Sequence, residues 1–166
     1  MWQTEFTRRI PVLTKKQLDR DAKIARQLVN AWDVEHDIER TRDIFFKKAH
    51  LLSNPRYWEL LRTVWVAAGS TDTADQFRPY FLSNRPCKSW FMTVEDAATL
   101  DRMQFPLRVW RAYDQEPDPG ISWTIDKDWC KSYAKAHNRI VKERVVNRAE
   151  VFAYISRRHE SEIIII

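Results

Sequence analysis

The chain ends with two acidic residues beside an apolar run. Glu160 and Glu162 precede four consecutive isoleucines, Ile163 to Ile166, and such a run predicts a strand that is buried on both faces. Because side chains alternate along a strand, the two carboxylates are expected on the same face, about 7 Å apart. Burying them costs free energy unless they are solvated, paired or used in chemistry. Such a pair can act as a base toward an acceptor and can stabilise a developing cation.

An upstream segment, Leu107 to Tyr113, predicts a strand with two arginines. The segment is otherwise apolar and aromatic, and Arg108 and Arg111 are three residues apart, which places them on opposite strand faces. A planar guanidinium donates two parallel hydrogen bonds to a phosphate, which an ammonium group does not. Either arginine is therefore a candidate anion ligand, and the residues alone leave the choice open.

A third predicted strand opens at Gly120 and carries hydroxyl groups. Ser122 and Thr124 project from one face of this strand and Trp123 projects from the other. A hydroxyl group can hold a carboxylate in one orientation by donating a hydrogen bond to it.

In chain order, the arginine strand, the Ser-x-Thr strand and the Glu-x-Glu strand resemble the mono-ADP-ribosyltransferases of the Arg-Ser-Glu class, over residues 105–166. The resemblance implies an enzyme that takes NAD as a substrate, uses no metal, and moves ADP-ribose onto a host protein, as small phage or toxin effectors do. It implies that Glu162 is the catalytic glutamate, which holds the nicotinamide ribose. Glu160 corresponds to the residue that orients and deprotonates an arginine acceptor, whose high pKa makes a neighbouring base necessary.

The same resemblance assigns the residues that bind NAD. Arg111 corresponds to the arginine that grips the pyrophosphate, and its aromatic flanks favour it over Arg108. Ser122 corresponds to the serine that fixes the catalytic glutamate and supports the ribose. Thr124 and Trp123, on the same strand, are assigned to the cofactor with it.

Two departures from the family pattern bear on the acceptor, and one feature bears on the subclass. Ala112 stands where a glycine commonly follows the family's arginine, and the turn before Glu160 is short and basic, without a long aromatic loop for target choice. These departures affect the identity of the acceptor more than the use of NAD. The arginine on the first strand, in place of a histidine, argues against the diphtheria-toxin-like branch. His159 is expected on the other strand face, so it receives no catalytic role.

Composition limits the remaining classes. The chain has 166 residues, 44% of them hydrophobic and 13% aromatic, which predicts an ordered domain with a substantial core. With only two glycines, Gly69 and Gly120, a glycine-rich phosphate loop is excluded, and so are the Rossmann and P-loop classes. The two cysteines form no metal-binding or disulfide pattern. No signal peptide and no membrane-length apolar stretch are found, which favours a cytoplasmic protein without a membrane partner.

The periodicity predicts helices first and strands afterwards. Residues 1–104 read as mainly helical, with a helical region from Lys15 to Leu52 that breaks near 33–37, a helix over 55–68, a short helix near 72–80, and a helix from Thr93 to about Met103. Residues 105–166 read as strand-rich, with strands at 107–113, 121–125, 140–146, 150–155 and the chain end, and a helix from Asp126 or Lys127. The expected fold is a single α+β domain over 1–166, with an ADP-ribosyltransferase-like sheet around an NAD cleft.

A basic cluster supports a different function. It consists of Arg139, Lys142, Arg144, Arg148, Arg157 and Arg158, against Glu143 and Glu150. The alternative hypothesis is a non-enzymatic module that binds nucleic acid or an acidic protein through this strip. A charge cluster is more often a solvated face, so nucleic acid is possible but not favoured. Phosphate binding would weaken steeply with salt, whereas NAD cleavage would not.

Overall fold

The computed structural model of the protein describes residues 11–68, 73–114, 120–157 and 160–166, with the backbone alone for 68, 157 and 160. Helices and one antiparallel sheet of five strands make up these ranges, which confirms the predicted α+β class. Contacts divide the chain into two compact units, the first of Met1–Gly69 with Asn84–Phe91 and the second of Ser70–Ser83 with Met92–Ile166. The single domain stays a prediction. No helix in the described ranges is long and apolar enough to cross a membrane.

The described part of the first unit contains two helices near its start, and polar side chains cap both of them. Helix α1 (Lys15–Val29) starts at a capping box, in which Thr14 and Gln17 satisfy each other's backbone N–H groups. It continues into a π-helical turn, Asn30–Val34. Helix α2 (Ile38–Lys48) then begins where the Asp37 side chain accepts from the Arg40 N–H. The predicted break near 33–37 is confirmed by this interruption.

Helix α3 (Asn54–Ala68) completes the core of the first unit. It confirms the helix predicted over 55–68, whose proposed end at Gly69 lies outside the described residues. Trp58 and Trp65 on this helix are both buried, in agreement with a packing role. The buried carboxylate of Asp21 on α1 accepts from the Ser53 N–H at 3.0 Å, which satisfies a donor at the start of α3.

The second unit contains the sheet. Its strands are β1 (Leu107–Tyr113), β2 (Ser122–Thr124), β3 (Ile140–Val146), β4 (Val151–Arg157) and β5 (Glu160–Ile165). They lie in the order β3-β1-β2-β5-β4, and all neighbouring pairs are antiparallel. Strand β2 is shorter than the predicted 121–125, and a 3₁₀ turn, Arg148–Glu150, comes before β4. The isoleucine run is buried from Ile163 to Ile165, as predicted for a strand that is covered on both faces.

Three helices belong to the second unit: α4 (Ala74–Phe81), α5 (Val94–Arg102) and α6 (Lys127–Ala136). The side chains of Thr93 and Asp126 cap α5 and α6, which confirms both predicted starts. The buried carboxylate of Asp96 accepts from the Ser156 N–H at 3.0 Å and ties α5 to β4. Helix α6 packs against β1 and β3.

Candidate active site

The three strands that carry the motifs are direct neighbours in the sheet. Strand β2 lies between β1 and β5, although long stretches of sequence separate the three. Trp110 on β1 is opposite Thr124 on β2, and Thr124 is opposite Glu162 on β5. Directly opposed residues share one face of a sheet. The fold therefore aligns an aromatic ring, a hydroxyl and a carboxylate in one row across three strands.

Ser122 and Glu162 are in contact, as the family resemblance implies. The Ser122 hydroxyl donates to Oε1 of Glu162 at 2.5 Å, and the glutamate is only 6% exposed. Ile155 on β4 is opposite Glu162 on its other side. A buried carboxylate that a hydroxyl holds in one orientation is preorganised to stabilise a nearby positive charge, since the surrounding protein screens it less than water would.

Thr124 has a structural partner of its own. Its hydroxyl accepts from the Asp126 N–H at 3.0 Å, and the residue is buried. This contact positions Asp126, whose carboxylate in turn accepts from the Trp129 N–H at 2.8 Å and caps α6. Thr124 thus joins the end of β2 to the start of α6, next to Glu162.

Arg111 contacts the backbone of β2. It is 6% exposed, and its Nη1 donates to the carbonyl oxygen of Ser122 at 2.6 Å. The Ile121 carbonyl accepts from the Ile165 N–H, and the Ile125 N–H donates to the Ser161 carbonyl. The backbone groups of Ile121 and Ile125 therefore point toward β5. Because backbone groups alternate in direction along a strand, the Ser122 carbonyl points the other way, toward β1. The guanidinium occupies this position in the seam between β1 and β2.

The register assigns Arg111 to the sheet face opposite Glu162. Trp110 is paired with Thr124, so alternation along β1 turns Arg111 to the face that Trp123 shares. Burial raises the pKa of the Cys130 thiol on α6, and the Arg111 guanidinium opposes this shift, which agrees with a position near α6. Arg111 therefore meets the Ser122–Glu162 pair at the backbone of Ser122.

Arg108, the competing arginine, lies on the other face of β1 and is engaged elsewhere. Its side chain is 60% exposed and its Nη1 forms an ion pair with Glu143 on β3 at 2.7 Å. Trp110 also donates to Glu143, from Nε1 to Oε2 at 3.0 Å. Of the two arginines, only Arg111 bonds to the strand that carries Ser122.

Gly120 lies directly against the Arg111 guanidinium. A Cβ atom built on Gly120 would lie 1.9 Å from Cζ and 2.2 Å from Nε of Arg111, far inside van der Waals contact. In the strand pattern, Gly120 marks only the start of a strand. A glycine in a chain with so few of them, directly before the Ser-x-Thr strand, was the signal for a close approach.

We expect Gly120→Ala to displace the Arg111 guanidinium. Gly120 does not have a positive φ, so alanine fits the backbone and the clash falls on the side chain alone. The Ser122 carbonyl would lose its charged donor, and the free energy of unfolding is expected to fall by about 1–3 kcal/mol. Urea denaturation measures this change.

The double variant Arg111→Ala/Gly120→Ala is the control for that experiment. Once the guanidinium is absent, the added methyl group has nothing to displace, so Gly120→Ala should then cost little. If the changes in unfolding free energy of the two single variants simply add up in the double variant, the contact between Arg111 and Gly120 is contradicted.

Trp123 lies on the Arg111 face and is 7% exposed. Together with Gly120 it lines a cavity of about 440 Å³, which Arg78 of α4 and Lys142 and Arg144 of β3 also line. Glu143 and Glu150 belong to the same lining, so three cationic side chains, two carboxylates and an indole ring surround this space, with a net positive charge that favours an anionic ligand with a ring.

Glu160 begins β5, where its backbone pairs with Arg157. Its side chain lies outside the described part of the chain, as do all of His159 and Arg158. Among the described residues, no group of three or more His, Cys, Asp or Glu side chains could hold a metal ion.

Trp110 is a site residue that the sequence pattern marks only as an aromatic flank of Arg111. It is half-buried and shares the face of Glu162. Lys127 of α6 lies 5.7 Å from its ring centroid, within the range of a cation–π contact.

No protein-family model matches this chain, and no curated protein or solved structure matches it either.

Proposed function

We propose that this protein is a mono-ADP-ribosyltransferase, which moves ADP-ribose from NAD onto an arginine side chain of a host protein. One observation carries the proposal. The arginine strand, the Ser-x-Thr strand and the Glu-x-Glu strand are neighbours, and the serine hydroxyl holds the second glutamate. The resemblance noted in the sequence requires this adjacency, and the spacing of the motifs along the chain does not impose it.

The second unit contains a cavity on the Arg111 face of the sheet, opposite Glu162, so its lining bears on the binding of the NAD pyrophosphate and not on the position of the ribose. Arg78, Lys142 and Arg144 line a cavity of about 440 Å³ beside Gly120, together with Glu143 and with Glu150, which pairs with Arg144. The Arg111 guanidinium lies against Gly120. The three cations outnumber the two carboxylates, which suits the negative charge of a pyrophosphate. Arg111 has several N–H donors, so holding the Ser122 carbonyl is compatible with contacting a phosphate.

Glu162 then has the central chemical role. When the bond between the nicotinamide nitrogen and C1′ of the ribose breaks, nicotinamide leaves as a neutral molecule and positive charge develops on the sugar. A buried carboxylate, fixed by Ser122 at 2.5 Å, stabilises this charge. A guanidinium nitrogen of the acceptor forms the new bond to C1′ and releases its proton to Glu160, and from there to solvent.

The proposal is tested by incubating the protein with isotope-labelled NAD and a guanidino acceptor, and in parallel with a cell lysate. Released nicotinamide and labelled acceptor are then measured by mass spectrometry. We expect both products in equal amounts when acceptor is in excess. Release of nicotinamide no faster than in buffer, at any acceptor concentration, would refute the proposal.

Glu160→Gln should separate the two half-reactions. Water can attack the ribose cation without a base that positions a guanidinium, so NAD hydrolysis should persist while transfer to the acceptor falls by about 10²-fold or more. Nicotinamide release and acceptor labelling are measured in the same sample. If transfer survives, the acceptor is not an arginine; if hydrolysis is lost as well, Glu160 serves NAD and not the acceptor.

The alternative module, with a basic strip over residues 139–158, has less support. Arg139 pairs with Asp114 at 2.9 Å, Arg144 with Glu150 at 2.5 Å, and Arg148 lies 4.0 Å from Asp101. Intramolecular carboxylates therefore offset much of the charge that the sequence displays in this segment.

A further inference from the structure

A groove between α1 and α2 concentrates positive charge in the first unit. Its volume is about 350 Å³, and four cationic side chains line it: Lys23, Arg26, Arg40 and Lys48. Within the described residues, the lining contains no aspartate or glutamate. A concave surface of one charge sign focuses the electrostatic field more strongly than a flat one does.

Among the described residues, Arg40 is the cation of the groove that forms an ion pair. Arg40 forms an ion pair with Glu35 at 2.7 Å, and Asn30 donates to the same carboxylate. Lys48 donates to the amide oxygen of Gln27, which carries no charge. Lys23 and Arg26 are both exposed, so their charges face solvent from the α1 side.

The α1 side of the groove contains an unusual backbone feature. The π-helical turn Asn30–Val34 begins at a groove residue, Asn30. Such turns are rare and occur often at functional sites. The turn widens the helix where α1 ends and adds an amide group to the groove lining.

The chemistry of the groove selects a phosphate chain over other anions. Ile44 is the one apolar side chain among the described residues of the lining, and no aromatic ring is present there to stack on a base. A nucleic acid or nucleotide held through its bases would need such a ring, and an acidic protein would usually need an apolar anchor. Cations and amides without rings are the usual ligands of backbone phosphates, which carry no sequence information.

We propose that this groove binds the backbone phosphates of nucleic acid, independently of base sequence. Lys23 and Arg26, three residues apart on one helix face, contact phosphates from α1, and Lys48 contacts them from α2. This site belongs to the first unit, whereas Glu162 and Arg111 belong to the second. The proposal does not depend on NAD chemistry.

The test uses the full chain, a fluorescein-labelled 20-nucleotide RNA of mixed sequence, and fluorescence anisotropy over a range of salt concentrations. Removing two phosphate contacts in Lys23→Ala/Arg26→Ala should lower the slope of log K against log salt by about 1.4. At 0.1 M salt this corresponds to binding about 25-fold weaker than that of the unmodified chain.

The matched control is Lys131→Ala/Lys135→Ala, which removes the same charge from two exposed lysines of α6. It should leave the salt slope nearly unchanged. Equal losses in both double variants would mean that overall charge, and not the groove, drives binding, and would overturn the proposal. Failure of the unmodified chain to bind RNA at low salt would do the same.

A competition arm distinguishes the classes of ligand. Unlabelled DNA of the same length should displace the RNA, whereas a polyglutamate peptide of equal charge should displace it weakly. Displacement by the peptide at equal concentration would assign the groove to an acidic protein and overturn the proposal. Glu162→Gln should lose NAD cleavage and still bind RNA like the unmodified chain. The transferase proposal and the groove proposal can therefore be refuted independently.

Discussion

Glu162→Gln is expected to abolish both ADP-ribose transfer and NAD cleavage while the fold persists. Glutamine has the same shape and still accepts the Ser122 hydroxyl bond through its amide oxygen, so the contact at 2.5 Å is retained in kind. The negative charge is lost, and with it the stabilisation of the developing ribose cation. We expect the rate of nicotinamide release to fall by about 10²–10³-fold.

Glu95→Gln is the control for this variant. Glu95 is an exposed residue of α5 in the same unit, so the same chemical change occurs outside the candidate site. Its activity should stay within a few fold of the unmodified chain. If Glu162→Gln retains comparable activity while its thermal unfolding is unchanged, Glu162 is not the catalytic residue and the proposed function loses its central group.

Local features of the fold were predictable because each has a short-range cause. The hydroxyl of Thr93 and the carboxylate of Asp126 accept hydrogen bonds from N–H groups three residues away. Such capping residues predict where a helix begins. The isoleucine run needed only its own composition to predict a buried strand. The π-helical turn at Asn30–Val34 has no comparable signal in the sequence, and only the helix break beside it was predicted.

The order and register of the strands were harder to predict from the sequence. The motifs suggested that β1, β2 and β5 cooperate, but pairing between strands depends on contacts between residues distant in sequence. A shift of one residue in register exchanges the two faces of a strand. For this reason the pairing of Trp110, and not Arg111, with Thr124 could not be predicted from the residue pattern.

The electrostatic environment also depends on contacts between distant segments. Residues 139–158 are rich in basic side chains, but Asp114 and Asp101 come from other segments to pair with Arg139 and Arg148. The groove between α1 and α2 has no continuous signature in the sequence because its four cations are spread over two helices. Their proximity is a consequence of helix packing, which periodicity alone does not specify.

Arg111→Ala should weaken the binding of NAD far more than Arg108→Ala. Both arginines lie on β1, but Arg111 is buried and bonds to Ser122 at 2.6 Å, whereas Arg108 is 60% exposed and paired with Glu143. Loss of a buried charged donor corresponds to about 1.5–3 kcal/mol, which is about 10–150-fold in the dissociation constant. An exposed pair contributes about 1 kcal/mol or less.

Calorimetric titration with a non-hydrolysable NAD analogue decides between the two arginines, and Arg111→Lys separates charge from geometry. Lysine keeps the positive charge but lacks the planar fork that holds a carbonyl and a phosphate together, so its affinity should lie nearer to that of alanine than to that of arginine. Each variant is first compared with the unmodified chain by thermal unfolding, since Arg111 also supports the Ser122 carbonyl. A larger loss at Arg108 in folded protein would mean that NAD lies on the Trp110 face alone. The Arg111 guanidinium would then serve only to join β1 to β2.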